Sequence, residues 1–152
     1  MTIEENKALV RRHYFEVFEQ GKVELIDDYY APNGSVPDGP TPQQWRETVL
    51  VFHKVTPGFK ITILDEVAET DKVAVYAQID CVFVGAPGEE WKAAFAHSGI
   101  VGKPISWKFL SLQHFAGGKQ VGFKTIDGLT ELLVKLGVYT LATAPPALKE
   151  AA

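Results

Sequence analysis

The chain has 152 residues, of which 46% are hydrophobic and 22% charged, and its formal net charge is -4. This composition is typical of a globular protein, and the negative charge argues against nucleic-acid binding, which relies on clustered Lys and Arg. No apolar run approaches the roughly 20 residues of a membrane span, and the N-terminal MTIEENKALVRR lacks the apolar core of a signal peptide, so we expect a soluble, cytoplasmic protein.

Three amphipathic helices are predicted first along the chain. Thr2 and Glu5 have the spacing of a capping box at the start of the first helix, and Gly21 ends it. A second, short helix follows. Pro42, at a first helical position, begins the third helix. Apolar residues recur at helical spacing behind each start, so each helix is expected to bury one face.

From residue 59 onward the apolar period changes from about 3.6 to 2, which predicts strands. Val67 continues the alternating apolar set of Phe59, Ile61 and Ile63 in the first of them. The predicted strands cover residues 59–67, 73–84, 105–115 and 121–126. Helices that precede antiparallel strands indicate an α+β fold, with the helices packed on one face of a curved sheet.

The remaining segments complete a single domain. Residues 91–100 fit either a strand or a cover over a pocket, and residues 130–136 predict a last short helix. We expect one domain over residues 1–138 and a loose tail over residues 139–152.

Common metal and nucleotide motifs are missing from the sequence. The four histidines, His13, His53, His97 and His114, lie on different predicted elements without an HxH or HExxH spacing, whereas a metal site needs several converging ligands. There is no P-loop, no GxGxxG and no GxSxG. Cys81 lies among apolar neighbours and is expected to be a small buried residue. We therefore expect no metal site.

A carboxylate ends the last predicted strand. Val121, Phe123 and Asp127 share one face by alternation, so an inward Phe123 would place Asp127 inward as well. Apolar walls raise the pKa of a carboxyl group, which suits a base that removes a carbon-bound proton near neutral pH. Asp127 also precedes Gly128 and the predicted last helix, so a helix cap is an equally good interpretation.

His114 lies on the preceding strand, on the same face as Leu110 and Leu112. Such a histidine is either a hydrogen-bonded core residue or a candidate catalytic group. Trp107 and Phe109 make the opposite face apolar too. Because both faces are apolar, we expect the outer face of the sheet to be covered by another subunit.

Three segments together resemble one known family. They are NKALVRRHYFEVFEQGKVELIDDYYAP, TPGFKITILDEVAETDKVAVYA and VGFKTIDGLTELLVKLG. In this order they are similar to the SnoaL-like polyketide cyclases of the nuclear transport factor 2-like superfamily, over residues 4–138. The resemblance implies a cone-shaped α+β fold, in which a strongly bent antiparallel or mixed sheet wraps around N-terminal helices and encloses an apolar pocket. It also implies a homodimer formed through the outer face of the sheet.

The resemblance further implies a reaction. Cyclases of this family close a polyketide ring by intramolecular aldol condensation, without a metal or organic cofactor, and use an aspartate near the end of the last strand. That aspartate matches Asp127, four positions after Phe123, and a supporting histidine matches His114. A hydrophobic small-molecule substrate would lie between aromatic walls. The residues expected to bind it are Tyr14, Phe18, Tyr30, Trp45, Phe83 and Phe123.

Other interpretations remain open. Core packing is the alternative role for the helix aromatics, and GAPGEEWKAAFAHSG after the long strand departs from the family pattern and favours a different substrate. An isomerase or dehydratase of the same fold could act on another hydrophobic molecule. Epoxide hydrolysis in this fold needs an Asp–Arg–Asp set. No Arg follows Arg46 in this chain, so an epoxide hydrolase of that type is disfavoured. A non-catalytic ligand-binding or dimerisation module would leave Asp127 as a helix cap.

Overall fold

The computed structural model describes residues 1–32, 40–85 and 99–128. Within these residues helices come first and a four-stranded curved sheet follows, which confirms the α+β class. The predicted last helix, the tail and most of residues 91–100 lie outside the described residues. None of the described helices has both the length and the apolar character needed to cross a membrane.

The first helix, α1, spans Ile3–Arg12 and begins with the predicted capping box. The Glu5 N–H donates to Thr2 Oγ1 at 3.2 Å, and the Thr2 N–H donates to Glu5 Oε2 at 2.7 Å. The helix continues directly into a π-helical segment, His13–Glu19. Gly21 follows with a φ of 70°, a left-handed conformation that glycine adopts without strain, and the chain turns there.

Two further α-helices lie within the described residues. A 3-10 turn at Val23–Leu25 leads into α2, Ile26–Tyr29. The longer α3 spans Pro42–Val55 and also begins with a capping box, formed by Thr41 and Gln44. The sequence therefore marks the start of both long helices correctly, because a capping box is a local signal.

The sheet is antiparallel throughout, in the order β1-β2-β3-β4. Its strands are β1, Lys60–Glu69; β2, Lys72–Val82; β3, Pro104–Ala116; and β4, Lys119–Asp127. A short parallel bridge joins Tyr30 to Gln120, and the Ala31 N–H donates to the Gln120 carbonyl at 3.1 Å. This contact fixes the end of α2 against β4.

The alternation predicted for the first strand is wrong beyond Ile63. The register of β1 against β2 shifts between Ile63 and Asp65, and a bulge of this kind turns the following side chains to the other face. Val67 is consequently 62% exposed on the outer face instead of continuing the inner set. Glu66 turns toward α1, where its Oε2 lies 2.8 Å from an Arg11 guanidinium nitrogen.

The core lies between the helices and the inner face of the sheet. Every second residue of β2 from Val73 to Cys81 is buried, as the alternation predicts, and Val10 and Tyr14 pack on this face. Cys81 is buried in this core, as predicted, and its burial raises the pKa of the thiol to about 11. A second cluster joins α2 to α3 and consists of Val17, Ile26, Tyr29, Tyr30, Trp45 and Val49. Phe18 packs against both clusters.

Candidate active site

A cavity of about 150 Å³ lies between the helices and the inner face of the sheet. Its wall includes several of the residues singled out from the sequence, namely Tyr14, Phe18, Trp45, Phe123 and Asp127. The wall also includes His13, Thr48, Phe52, Ile61, Ile79, Phe109 and Thr125. A mostly apolar cavity of this volume can hold about one six-membered ring.

Strand alternation brings Asp127 to the cavity. Phe123, Thr125 and Asp127 all line it, and β4 pairs Phe123 with Gln113 and Asp127 with Phe109, which are inward residues of β3. The sequence predicts that Asp127 lies among apolar walls. Asp127 is instead exposed, so its carboxylate lies at the rim of the cavity. The helix that Asp127 could cap would begin outside the described residues.

Aromatic rings form part of the cavity wall. The Trp45 ring meets Phe18 and Phe123 edge-on, with centroid distances of 5.6 and 5.3 Å. Tyr30 stacks against Trp45 at 5.5 Å. Tyr30 is fully buried and supports the wall through Trp45, but it is not among the residues that line the cavity.

His13 is a buried polar residue of the wall. Its Nε2 lies 2.8 Å from the Tyr30 hydroxyl. Burial lowers the pKa of His13 to about 3, so the imidazole is neutral near pH 7. Burial also holds the pKa of Tyr30 well above its usual value, so the phenol keeps its proton. The pair is therefore an uncharged hydrogen-bonding unit.

A second buried network holds Tyr14 in the wall. The Tyr14 hydroxyl lies 2.8 Å from Ser111 Oγ and accepts a hydrogen bond from Gln113 Nε2 at 3.0 Å. Burial raises the pKa of Tyr14 to about 12, so this phenol is also protonated at neutral pH. The network fixes the position of the ring without adding charge to the cavity.

The structure does not bring His114 to the cavity. His114 lies on the outer face of β3, one residue out of phase with the inward Gln113. Its Nε2 lies 2.6 Å from Asp71 Oδ2, near the β1–β2 turn, and both side chains are about half exposed. Phe83 is also not among the residues that line the cavity. It is buried beyond the end of β2, where its carbonyl accepts a hydrogen bond from the Gly102 N–H at 2.8 Å.

Three buried polar residues near the cavity were not predicted from the sequence, namely His13, Ser111 and Gln113, although their positions in the apolar pattern are informative. His13 follows Val10 by three positions and precedes Val17 by four, so helical spacing places it on the buried stripe. Ser111 and Gln113 alternate with apolar residues on the inner face of β3. A polar residue at an inward position of an otherwise apolar pattern was the available clue.

The arrangement suits proton transfer to and from carbon. One carboxylate, Asp127, lies at the rim of an apolar cavity whose other polar wall groups include the uncharged His13 and Tyr14. Within residues 1–32, 40–85 and 99–128, no three His, Cys, Asp or Glu side chains are grouped so that they could hold a metal ion.

Solved structures of other proteins share this fold. TsrD from Streptomyces laurentii superimposes with a TM-score of 0.74 at 16% identity, over 91% of this chain and 99% of TsrD. AclR from Streptomyces galilaeus superimposes with a TM-score of 0.72 at 18% identity, over 91% of this chain and 100% of AclR. A SnoaL-like polyketide cyclase from Agrobacterium tumefaciens has a TM-score of 0.70 at 12% identity, over 90% of this chain and 100% of that protein. At these identities the likeness shows the fold.

The family follows from the sequence match. The family model described as SnoaL-like polyketide cyclase matches residues 8–132. This range begins within α1 and includes α2, α3 and the four described strands. No curated protein matches the chain at a significant level. Because the family model covers most of the chain, from within α1 to beyond Asp127, the protein belongs to the SnoaL-like polyketide cyclase family.

Proposed function

We propose that the protein is a cofactor-independent cyclase that closes a ring by intramolecular aldol-type condensation in an apolar, polyketide-like carbonyl compound. One observation carries this proposal: the Asp127 carboxylate shares an aromatic-lined cavity with Tyr14, Phe18, Trp45 and Phe123. Membership of the SnoaL-like polyketide cyclase family supports the substrate class.

Asp127 is the acid–base group of the proposed reaction. Its carboxylate removes a proton from the carbon next to a ketone, and the resulting enolate carbon attacks a second carbonyl of the same molecule. A carbon–carbon bond forms, the second carbonyl oxygen becomes an alkoxide, and the protonated Asp127 returns its proton to that oxygen. No atom or electron comes from a co-reactant, so one carboxyl group at the cavity rim is sufficient.

The cavity holds the substrate in the folded conformation that ring closure requires. A volume of about 150 Å³ holds one ring and not a polycyclic molecule, so the ring being closed would occupy the cavity while the rest extends past the rim. Aromatic walls exclude water and hold the two reacting carbons close together. Such proximity replaces a costly ordering step in solution.

We also propose that the outer face of the sheet pairs with a second copy of the chain. Tyr76, Leu110 and Ile126 form a cross-strand row on this face, and all three are exposed. In the neighbouring row, Val67 and Leu112 flank Ala74 and are exposed as well. A contiguous apolar patch of this kind is typical of a protein interface, and two-fold symmetry would cover both copies.

Hydrogen–deuterium exchange at carbon tests the role of Asp127. Cyclohexanone, a ketone of suitable size for the cavity, is incubated with the protein in deuterium oxide, and NMR follows deuteration next to the carbonyl. Asp127→Asn keeps the side-chain size but removes the base, so the protein-catalysed rate should fall roughly a hundredfold or more.

A matched control and a second ketone complete the experiment. Asp28→Asn changes an exposed carboxylate of α2 that does not line the cavity, and it should retain the rate. Equal rates for Asp127→Asn and the wild type would contradict the assignment. Ring closure of 2,6-heptanedione to a six-membered aldol product separates a cyclase from an isomerase, which would exchange protons without closing the ring.

A further inference from the structure

Two polar groups in the cavity wall lack a hydrogen-bond partner. His13 Nδ1 and Trp45 Nε1 are unpaired with respect to the described part of the chain, although His13 is only 3% and Trp45 only 8% exposed. Both side chains line the cavity. Asn6, Glu66, Trp107 and Gln113 also carry a buried unpaired atom, but they are not among the residues that line this cavity. Buried polar atoms are usually paired, so the two unpaired atoms on lining side chains are available to a ligand that enters the cavity.

The Tyr30 hydroxyl determines which His13 nitrogen carries the proton. Tyr30 is buried, and its hydroxyl makes its one described hydrogen bond to His13 Nε2. If Nε2 were the donor, the phenol hydrogen would be buried without an acceptor and Nδ1 would be unpaired as well. If Tyr30 donates, only the Nδ1–H is left over. The second arrangement leaves fewer groups unpaired, so Nδ1 carries the proton.

The His13 and Trp45 rings contact the same two aromatic neighbours. The Phe18 ring is 5.1 Å from the His13 ring and 5.6 Å from the Trp45 ring, and the corresponding distances from Tyr30 are 5.1 and 5.5 Å. An indole nitrogen can only donate a hydrogen bond. A ligand that enters the cavity therefore meets two side chains with an unpaired N–H donor, which match an oxygen acceptor and do not match an ammonium group.

We propose that His13 Nδ1–H and Trp45 Nε1–H bind a carbonyl oxygen of the substrate in the cavity that Asp127 also lines. This inference rests on the proposed function, since it assigns the same cavity to a ketone. The oxygen bound there gains negative charge when the neighbouring carbon loses its proton, so both hydrogen bonds strengthen as the enolate forms.

The donor pair also defines the substrate class. A molecule of the same shape without the oxygen would fill the cavity but leave both N–H groups unpaired, which a site of this kind disfavours strongly. We therefore assign the cavity to an apolar, ring-sized group that carries a ketone oxygen. Asp127 lines the same cavity, so it is the group that would remove a proton from a carbon next to that ketone.

The indole N–H signals in the proton NMR spectrum test the pair directly. Cyclohexanone and methylenecyclohexane have the same ring, and C=CH2 replaces C=O in the second. Cyclohexanone should move the Trp45 Nε1–H signal downfield in a saturable manner, whereas methylenecyclohexane should not. Trp107 is the matched control, because its Nε1 is also buried and unpaired in the described structure but Trp107 is not a described lining residue.

Affinities of variants give an independent measurement. Trp45→Phe and His13→Phe each remove one donor and should weaken cyclohexanone binding roughly two- to tenfold. Both variants should change the affinity for methylenecyclohexane much less. Equal losses for the two ligands, or a cyclohexanone-induced shift at Trp107 in place of Trp45, would overturn the proposal.

The wild-type protein provides a test that does not depend on folding of a variant. Ring-nitrogen NMR shifts should show neutral His13 protonated at Nδ1. His53 is the control of opposite tautomer, because its Nε2 lies 2.7 Å from the Phe18 carbonyl, which can only accept. A His13 ring protonated at Nε2 would overturn the proposal.

Asp127→Asn separates this inference from the proposed function. The variant should lose carbon-bound proton exchange but keep the Trp45 shift and the cyclohexanone affinity. In the wild type, a Trp45 shift without exchange would contradict only the role of Asp127. Exchange without a Trp45 shift would contradict only the donor pair.

Discussion

The two faces of β3 carry similar residues in different surroundings. On the inner face, Phe109 and Gln113 are buried against the helices, and Gln113 donates to the Tyr14 hydroxyl. On the outer face, Leu112 is exposed and His114 pairs with an aspartate in contact with solvent. The difference shows that the packing partner of a face decides whether its polar residues can form a buried site.

The same contrast separates two histidines. His13, on a helix, is buried and neutral, and its ring lines the cavity. His114, on the outer face of the sheet, makes a partly exposed contact with Asp71.

A charge on the outer face of the sheet should have the largest effect, because it should separate the proposed dimer into monomers. Leu112→Lys places an ammonium group in the proposed dimer interface, where burial without a partner is costly, so the variant should be monomeric. Light scattering after size-exclusion chromatography measures the mass. Leu50→Lys is the control, because Leu50 is 55% exposed on α3, similar to the 44% of Leu112. A monomeric wild type, or a Leu112→Lys dimer, would contradict the proposed interface.

Acid should destabilise the inner side through His13. The pKa of His13 is lowered from 6.5 to about 3 by burial, so between these pH values the unfolded chain binds a proton that the folded chain does not. Stability therefore falls as pH falls through this window. The contribution from pH 7 to pH 5 is about 2 kcal/mol of unfolding free energy.

Urea unfolding at the two pH values checks this expectation. His13→Phe has no ring proton to gain, and its stability should depend less on pH over the same interval. A wild-type unfolding free energy that is equal at both pH values would show that His13 is not buried and neutral.

Truncating a valine should distinguish the two faces in stability. Val75→Ala removes two methyl groups from a fully buried inner position of β2 and should cost about 2 kcal/mol. Val67→Ala, beyond the bulge of β1, should cost little in the monomer because Val67 is exposed. Urea midpoints of both variants, each also carrying Leu112→Lys, measure the difference. Similar losses at the two positions would mean that the bulge does not turn Val67 outward.

Replacing the outer histidine should have the smallest effect. His114→Gln removes the contact with Asp71, which is about half exposed, and leaves the cavity unchanged. The rate of deuterium exchange into cyclohexanone should stay within error of the wild type. A loss comparable to that of Asp127→Asn would restore His114 as a catalytic residue and contradict its position on the outer face.

Local signals made much of the fold predictable. The capping boxes at Thr2 and Thr41 and the alternation of β2 all act over a few residues, and each is present in the structure. The bulge after Ile63 was not predictable, because a shift of register depends on how β1 pairs with β2 and not on the pattern of β1 alone.

The cavity was predictable only in part. Alternation placed Phe123 and Asp127 on one face, and both line the cavity. The same reasoning could not show whether His114 faces the cavity or the outside of the sheet. Both faces of β3 are apolar, so the pattern does not show which face the helices cover. Helical spacing could have placed His13 on the buried stripe, but its hydrogen bond to Tyr30 joins residues 17 positions apart and was not predictable from spacing.

A backbone amide shift map of cyclohexanone binding tests most directly whether the inner-face cavity is the substrate site. We predict saturable shifts around the cavity residues Thr48, Phe123 and Thr125, with no comparable change at Leu112 or His114 on the outer face. Shifts confined to the outer face, or none at any concentration of the ketone, would contradict the assignment of this cavity to a carbonyl substrate.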